Sequence, residues 1–227
     1  MVRKKSLKKD GEKILTTRDR EIYNFIEMVG ICTAKQIKEV FLPNVDITKT
    51  YLRLRNLVSR GFIKEYKIGL NKYYYVGRKT SEKMLEHDLK STELVGFLKK
   101  SGAEILNFNR NRIIGQTLKG RIYVDCYIAY SVKVGGKTLK RHIVVEVQRS
   151  IQYKVKPNYG YLHGCIEKYN HSSINQGLSL LTLENGFKEF PPLVVVTDIK
   201  DETSKLFTTK LLKLPYTKNE SWNTLIR

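Results

Sequence analysis

The chain has 227 residues, 41% hydrophobic and 28% charged, which are globular proportions that exclude wholesale disorder and allow one large domain or two small ones. Its 42 Lys/Arg against 22 Asp/Glu leave a formal charge of +20 and point to a polyanionic partner, nucleic acid first and an anionic membrane surface second. No apolar run of about 18 residues is present to span a bilayer, and the three cysteines (Cys32, Cys126, Cys165), odd in number and without a CxxC pair, exclude a disulfide framework and a cysteine zinc site.

Met1 to Asp10 is basic and lacks an apolar core, so no secretory signal is expected there, and a cytoplasmic protein is the simplest reading. Charge is shared evenly: residues 1–90 carry 21 Lys/Arg and 11 Asp/Glu, and residues 91–227 carry the same counts. Either half can therefore face phosphate.

Residues 1–13 are lysine-rich without apolar periodicity and read as a basic flexible arm. Residues 14–78 read as three helices and a hairpin. Thr16 or Thr17 caps the first helix, Ile22, Phe25, Ile26 and Val29 form its stripe, and Gly30 ends it. Thr33 caps the second, with Ile37, Val40 and Phe41 inward and Pro43 at its end. Asp46 caps the third, with Ile47, Tyr51, Leu54, Leu57 and Val58 inward and Gly61 at its end. Two β-rich segments follow, Phe62 to Lys67 and Lys72 to Val76, joined by a turn over Ile68-Gly69-Leu70-Asn71.

This order predicts a winged helix-turn-helix that binds double-stranded DNA, the third helix reading the duplex. The residues expected on its outer face are Thr48, Lys49, Thr50, Arg53, Asn56 and Arg60. Lys and Arg suit guanine edges and phosphates, and Asn suits adenine. A solvated polar face, or a winged helix used for protein contact, is the competing reading.

Residues 79–90 read as a connector with one or two helical turns. A helix capped by Ser91 or Thr92 and running to about Lys100 then opens a second domain, 91–227. From Arg121 to Ser150, two β-rich runs flank Gly135-Gly136, a strong hairpin signal. With that turn, Val124 faces Val147, Cys126 faces Val145 and Ile128 faces Ile143, an apolar face for the core. On the other face Tyr123 meets Gln148, Asp125 meets Glu146 and Tyr127 meets Val144.

Asp125 and Glu146 therefore stand directly opposite, which is destabilising unless offset. A shared proton, a basic side chain or a divalent cation such as Mg²⁺ each does so, and a hard cation on oxygen ligands is the usual device of phosphodiester chemistry. The plain alternative is an exposed pair neutralised by lysine. A one-residue slip at the turn would separate the acids. Further on, 151–171 can form a crossover helix interrupted at Pro157. Leu193 to Thr197 reads as a strand buried on both faces, and a helix is expected from about Glu202 to Leu212. The expectation is an α/β (α+β) mixed sheet sandwiched by helices.

Asp on the first hairpin strand and Glu146-Val147-Gln148 on the second resemble the PD-(D/E)XK nuclease superfamily. The resemblance implies a Mg²⁺ site on Asp125 and Glu146, often completed by the carbonyl at the Val147 position. Gln148 replaces the usual catalytic lysine. The run Glu146-Val147-Gln148-Arg149-Ser150 resembles a variant in competence-protein nuclease domains, so the departure leaves catalysis open. Lys154 or Lys168 is the candidate substitute.

Over about residues 13–200 the chain also resembles the replication-relaxation proteins of plasmids and other mobile elements. The matching stretches include Leu15 to Ile22, Thr33 to Ile37, Leu52 to Leu57, Gly61-Phe62-Ile63, Val124-Asp125, Val145-Glu146-Val147, Lys168-Tyr169 and Val194 to Thr197. That resemblance implies a DNA-binding protein of replication control or conjugative mobilisation, with replication or relaxase proteins as partners. A homodimer is a further expectation, since two half-sites multiply affinity. Two readings follow: a DNA-binding regulator on a nuclease-like scaffold, or a Mg²⁺-dependent endonuclease using Asp125, Glu146 and Gln148. No His-x-His cluster or Walker-type glycine loop supports a relaxase nickase or nucleotide hydrolysis.

Overall fold

The structure is a computed structural model that describes residues 15–117, 120–147, 178–179, 181–189, 191–197 and 210–213. The basic arm, Gln148, Lys154, Lys168, Cys165 and the expected crossover helix lie outside the described residues. The chain divides into two compact units between Lys79 and Thr80.

In the first unit, α1 (Thr17–Val29) starts where the Thr16 hydroxyl accepts from the Asp19 amide at 3.1 Å, and stops at Gly30, whose φ of 76° suits glycine. Helix α2 (Ala34–Phe41) opens with a capping box: Thr33 Oγ1 accepts from the Gln36 amide, and Gln36 Oε1 accepts from the Thr33 amide. Helix α3 (Ile47–Ser59) is capped by Asp46, which accepts from the Thr48 amide at 2.7 Å.

Three strands, β1 (Ile31–Thr33), β2 (Lys64–Ile68) and β3 (Asn71–Tyr75), form an antiparallel sheet in the order β1-β3-β2. The hairpin turn is Gly69-Leu70, tighter than the four residues expected. Strand β1 has no expectation behind it. Three residues are too few for a period-two signal, and pairing with Tyr73 to Tyr75 is what makes them a strand. Ile22, Phe25, Ile26, Val29, Ile37, Leu54, Leu57 and Ile63 are buried together with Tyr74, and Phe41 meets Phe25 edge-on at 5.4 Å.

In the second unit, α4 runs unbroken from Glu82 to Lys100. This corrects the expectation of a connector followed by a helix start at Ser91 or Thr92. Their hydroxyls donate to the carbonyls one turn back, Ser91 Oγ to His87 at 3.1 Å and Thr92 Oγ1 to Asp88 at 2.9 Å. Mid-helix Ser and Thr can satisfy themselves this way, so they mark a start only where the preceding turn is non-helical.

Strands β4 (Glu104–Thr117), β5 (Gly120–Val134), β6 (Lys137–Val147), β7 (Leu193–Thr197) and β8 (Lys210–Lys213) follow in that sheet order. The first three are antiparallel, and β6, β7 and β8 are parallel. Residues 210–212, expected to end a helix, are strand instead, because Lys-Leu-Leu-Lys pairs with β7. Non-local pairing overrides a weak local preference.

The β5–β6 register is the one that Gly135-Gly136 implies, from Val134↔Lys137 to Cys126↔Val145. Burial departs from the expected one-sided pattern. Tyr127 and Val144 were placed opposite the core, yet both are buried, in a cluster with Ile114, Val124, Ala129, Leu178, Leu181 and Leu193. This sheet is therefore covered on both faces, as parallel neighbours require. Alternation also breaks at Asp125. Val124 and Tyr127 share that cluster, while Asp125 and Cys126 both face α4.

Candidate functional site

Two regions concentrate polar chemistry, one in each unit. In the first, α3 buries Thr50, Leu54 and Leu57, an i, i+4, i+7 stripe. Thr50, expected outward, is 0% exposed, and Tyr51, expected inward, is 43% exposed. Leu54 and Leu57 stay inward as expected, so the buried face is turned by only about half a residue step, roughly 50°, toward Thr50.

The outward face is then Thr48, Lys49, Tyr51, Leu52, Arg55, Asn56 and Ser59. Of the anticipated readers, Thr48, Lys49 and Asn56 are exposed. Arg53 is half-buried, its Nη1 2.7 Å from Asp19 Oδ1 on α1, so it ties α3 to α1. Arg60 sits 5.0 Å over the ring of Phe62. Arg55 was not anticipated. The turn of the buried face toward Thr50 puts it in the outward set.

Burial raises the Tyr74 phenol to about 12, with Glu65 and Tyr51 adding to the rise and Arg55 opposing it. Tyr51 and Arg55 thus lie on the side of α3 nearest the β2–β3 hairpin. That hairpin exposes Lys64 and Lys67, while Lys72 pairs with Glu65 at 3.4 Å.

In the second unit the two acids end up in different company. Asp125 reaches across to β6, its Oδ2 accepting from the Val147 amide at 2.6 Å. Its Oδ1 lies 2.8 Å from His87 Nε2, a close ion pair whose N–H is not aimed squarely at the oxygen. His87 Nδ1 is 3.4 Å from Asp88 Oδ1, and Asp88 Oδ2 meets Arg110 Nη1 at 3.0 Å and Thr80 Oγ1 at 2.9 Å. Arg110 Nη2 also donates to Thr92 Oγ1 at 3.2 Å.

Burial alone would drive His87 toward neutrality. The Asp125 and Asp88 carboxylates outweigh it and hold the imidazole at about 9, so it is a cation at neutral pH. Asp88 is also penalised by burial, but His87, Arg110 and Thr80 pull its carboxyl below the usual range. Glu146 is buried at 4% exposure, close enough to Cys126 for its charge to be felt there. Burial pushes the Cys126 thiol up, so it is no thiolate nucleophile.

The resemblance asks whether Asp125 and Glu146 fit Mg²⁺. Both Asp125 oxygens already face hydrogen-bearing nitrogens, and one of those nitrogens carries a positive charge. A divalent ion would have to displace the imidazolium. As arranged, these residues do not fit the metal, and among the described residues no group of three or more His, Cys, Asp or Glu is disposed to hold one. Among the expected offsets is a basic side chain, and beside Asp125 it is a histidine from α4 rather than a lysine.

His87 and Asp88 were missed because 79–90 read as a connector, and Arg110 lies outside that stretch, on β4. The uninterrupted helix formers from Glu82 onward, with His87 one turn before Ser91, were the signal that α4 begins earlier. Added Mg²⁺ or Mn²⁺ is expected to leave the melting temperature unchanged. A rise with metal that Asp125→Asn removes would restore the cation site. No known protein family, curated protein or solved structure matches the chain.

Proposed function

We propose that the first unit is a winged helix-turn-helix that binds double-stranded DNA, and that the protein serves replication control or conjugative mobilisation of a plasmid or mobile element. The observation that carries this reading is the outward face of α3. Lys49, Arg55 and Asn56 stand on one exposed helical face beside a lysine-bearing hairpin, in a chain of charge +20. The helix length of 13 residues, about 20 Å, suits a major groove.

Arg53 is a positioning residue in this reading, since its guanidinium serves Asp19. The second unit is taken as a nuclease-like scaffold without turnover, its Asp125 neutralised by His87. Replication or relaxase proteins are the expected partners, and a homodimer remains part of the proposal.

Selection from a pool of random duplexes, followed by anisotropy on the enriched sequence, tests it. Arg55→Ala and Asn56→Ala are each expected to weaken binding by about 1–3 kcal/mol with an unchanged melting temperature. Arg53→Ala is expected to lower the melting temperature as well. Failure of the wild-type protein to enrich any duplex would sink the reading. Metal-dependent nicking of supercoiled plasmid, lost in Asp125→Ala/Glu146→Ala, would replace the scaffold reading with an endonuclease.

A further inference from the structure

The β5–β6 hairpin outruns its neighbours. Pairing of β4 with β5 ends at Glu104↔Ser131, and pairing of β7 with β6 ends at Leu193↔Val144. From Val132↔Leu139 to Val134↔Lys137 the two strands therefore have only each other among the described residues. Isolated ribbons of this kind are marginal without a face to pack on; here Val132 is buried at the base and Val134 is half-buried, and the rest of the ribbon stands clear. Lys133, Gly135, Gly136, Lys137, Thr138, Leu139 and Lys140 are all exposed.

Its charge is one-signed. Lys133, Lys137, Lys140 and Arg141 lie within residues 132–141, which hold no acid. Lys133, Lys137 and Lys140 make no ion pair among the described residues. A carboxylate contact occurs at the base, where Ser131 Oγ donates to Glu104 at 3.2 Å. Cross-strand partners share a face, so Lys133 and Thr138 lie on the same side as Ser131 and Lys140. The turn has positive φ at both glycines, 55° and 80°, so the tip carries no side chain and can approach another backbone closely.

We propose that this ribbon is a second nucleic-acid contact, gripping the phosphates of a DNA duplex independently of sequence. A two-stranded ribbon is the other element besides a helix that a major groove about 12 Å wide admits. Lysines on the ribbon neutralise phosphates and release counterions. Duplex is favoured over an anionic membrane because the tip bears no aromatic or large apolar anchor. The one exposed large aliphatic, Leu139 at 37%, shares a face with Lys137, opposite Lys133 and Lys140, so the lysines flank the tip on both sides. The inference concerns the second unit and stands apart from the reading of α3.

The test uses the full chain and a short fluorescent duplex of random sequence, titrated over a range of KCl concentrations. The variants are Lys133→Gln/Lys137→Gln/Lys140→Gln and, separately, Lys49→Ala/Asn56→Ala. The ribbon variant should melt with the wild type and lose about 2–3 from the slope of log K against log salt, close to 0.9 per lost phosphate contact. An unchanged slope in the ribbon variant, with binding lost only in the α3 variant, overturns the inference and leaves the α3 reading standing. A lost slope in the ribbon variant alone supports it and counts against α3. Wild-type binding to phosphatidylcholine–phosphatidylglycerol vesicles but not to duplex also overturns it.

Discussion

Replacing His87 with glutamine lowers the stability of the second unit by up to about 3 kcal/mol in mildly acidic solution, and the deficit shrinks as the pH approaches 9 and beyond. The imidazole, ordinarily at 6.5, is held at about 9 in the folded protein between Asp125 and Asp88. Folding thus favours the protonated ring. The stabilisation is complete below about 6.5, declines as pH rises through the folded value, and is gone above it. The rise from 6.5 to about 9, at about 1.4 kcal/mol per tenfold change in proton affinity, sets the ceiling.

Asp88 works at the opposite end. Its depressed carboxyl contributes stability above the ordinary carboxylate range, lost as the pH falls through the folded value. The wild type is therefore most stable between the carboxylate range and about 6.5. Urea unfolding at a series of pH values measures this. A wild-type profile parallel to that of His87→Gln from 6.5 to 9 would show that the imidazolium does not hold the site. Glutamine keeps the size and a donor but not the charge, so the variant leaves two carboxylates with one cation fewer.

Leu54→Ala is expected to cost about 2–5 kcal/mol in the first unit, because Leu54 is 0% exposed and its deletion leaves a cavity between α3 and the core. The division of the chain at Lys79 predicts where the loss falls. The first unit's transition moves down and the second unit's transition stays put, as calorimetry would resolve. Leu52→Ala, two residues away and 55% exposed, should leave melting unchanged. A loss below about 1 kcal/mol for Leu54→Ala would mean that α3 is not seated on the 50–54–57 stripe.

The two variants probe different kinds of interaction, and they differ in how readable they were beforehand. Leu54 announces itself by helical spacing and was expected inside. The His87 site joins α4, β4 and β5, three elements whose spacing in sequence says nothing of their contact. Asp125 is legible in the sequence as an acid needing an offset, and a basic side chain is among the expected offsets, but that the side chain is His87 depends on where α4 packs. The Gly135-Gly136 turn gave the register to the residue, because a two-residue loop leaves the strands no freedom. Beyond Cys126↔Val145 that logic failed, since the Asp125 carboxylate itself takes up the Val147 amide.

What could be read from residue order alone was what local chemistry decides: the caps at Thr16, Thr33 and Asp46, the glycine stop at Gly30, the hairpin turn, and the even spread of positive charge. Each depends on atoms a few residues apart. What only the tertiary structure decided were the features set by partners far along the chain. These are the rotation of α3 that buries Thr50 and frees Arg55, the strand character of β1 and β8, the burial of both faces of β5 and β6, and the imidazolium beside Asp125. Burial and ion pairing are properties of the space around a side chain, and that space is built by elements the local sequence does not contain.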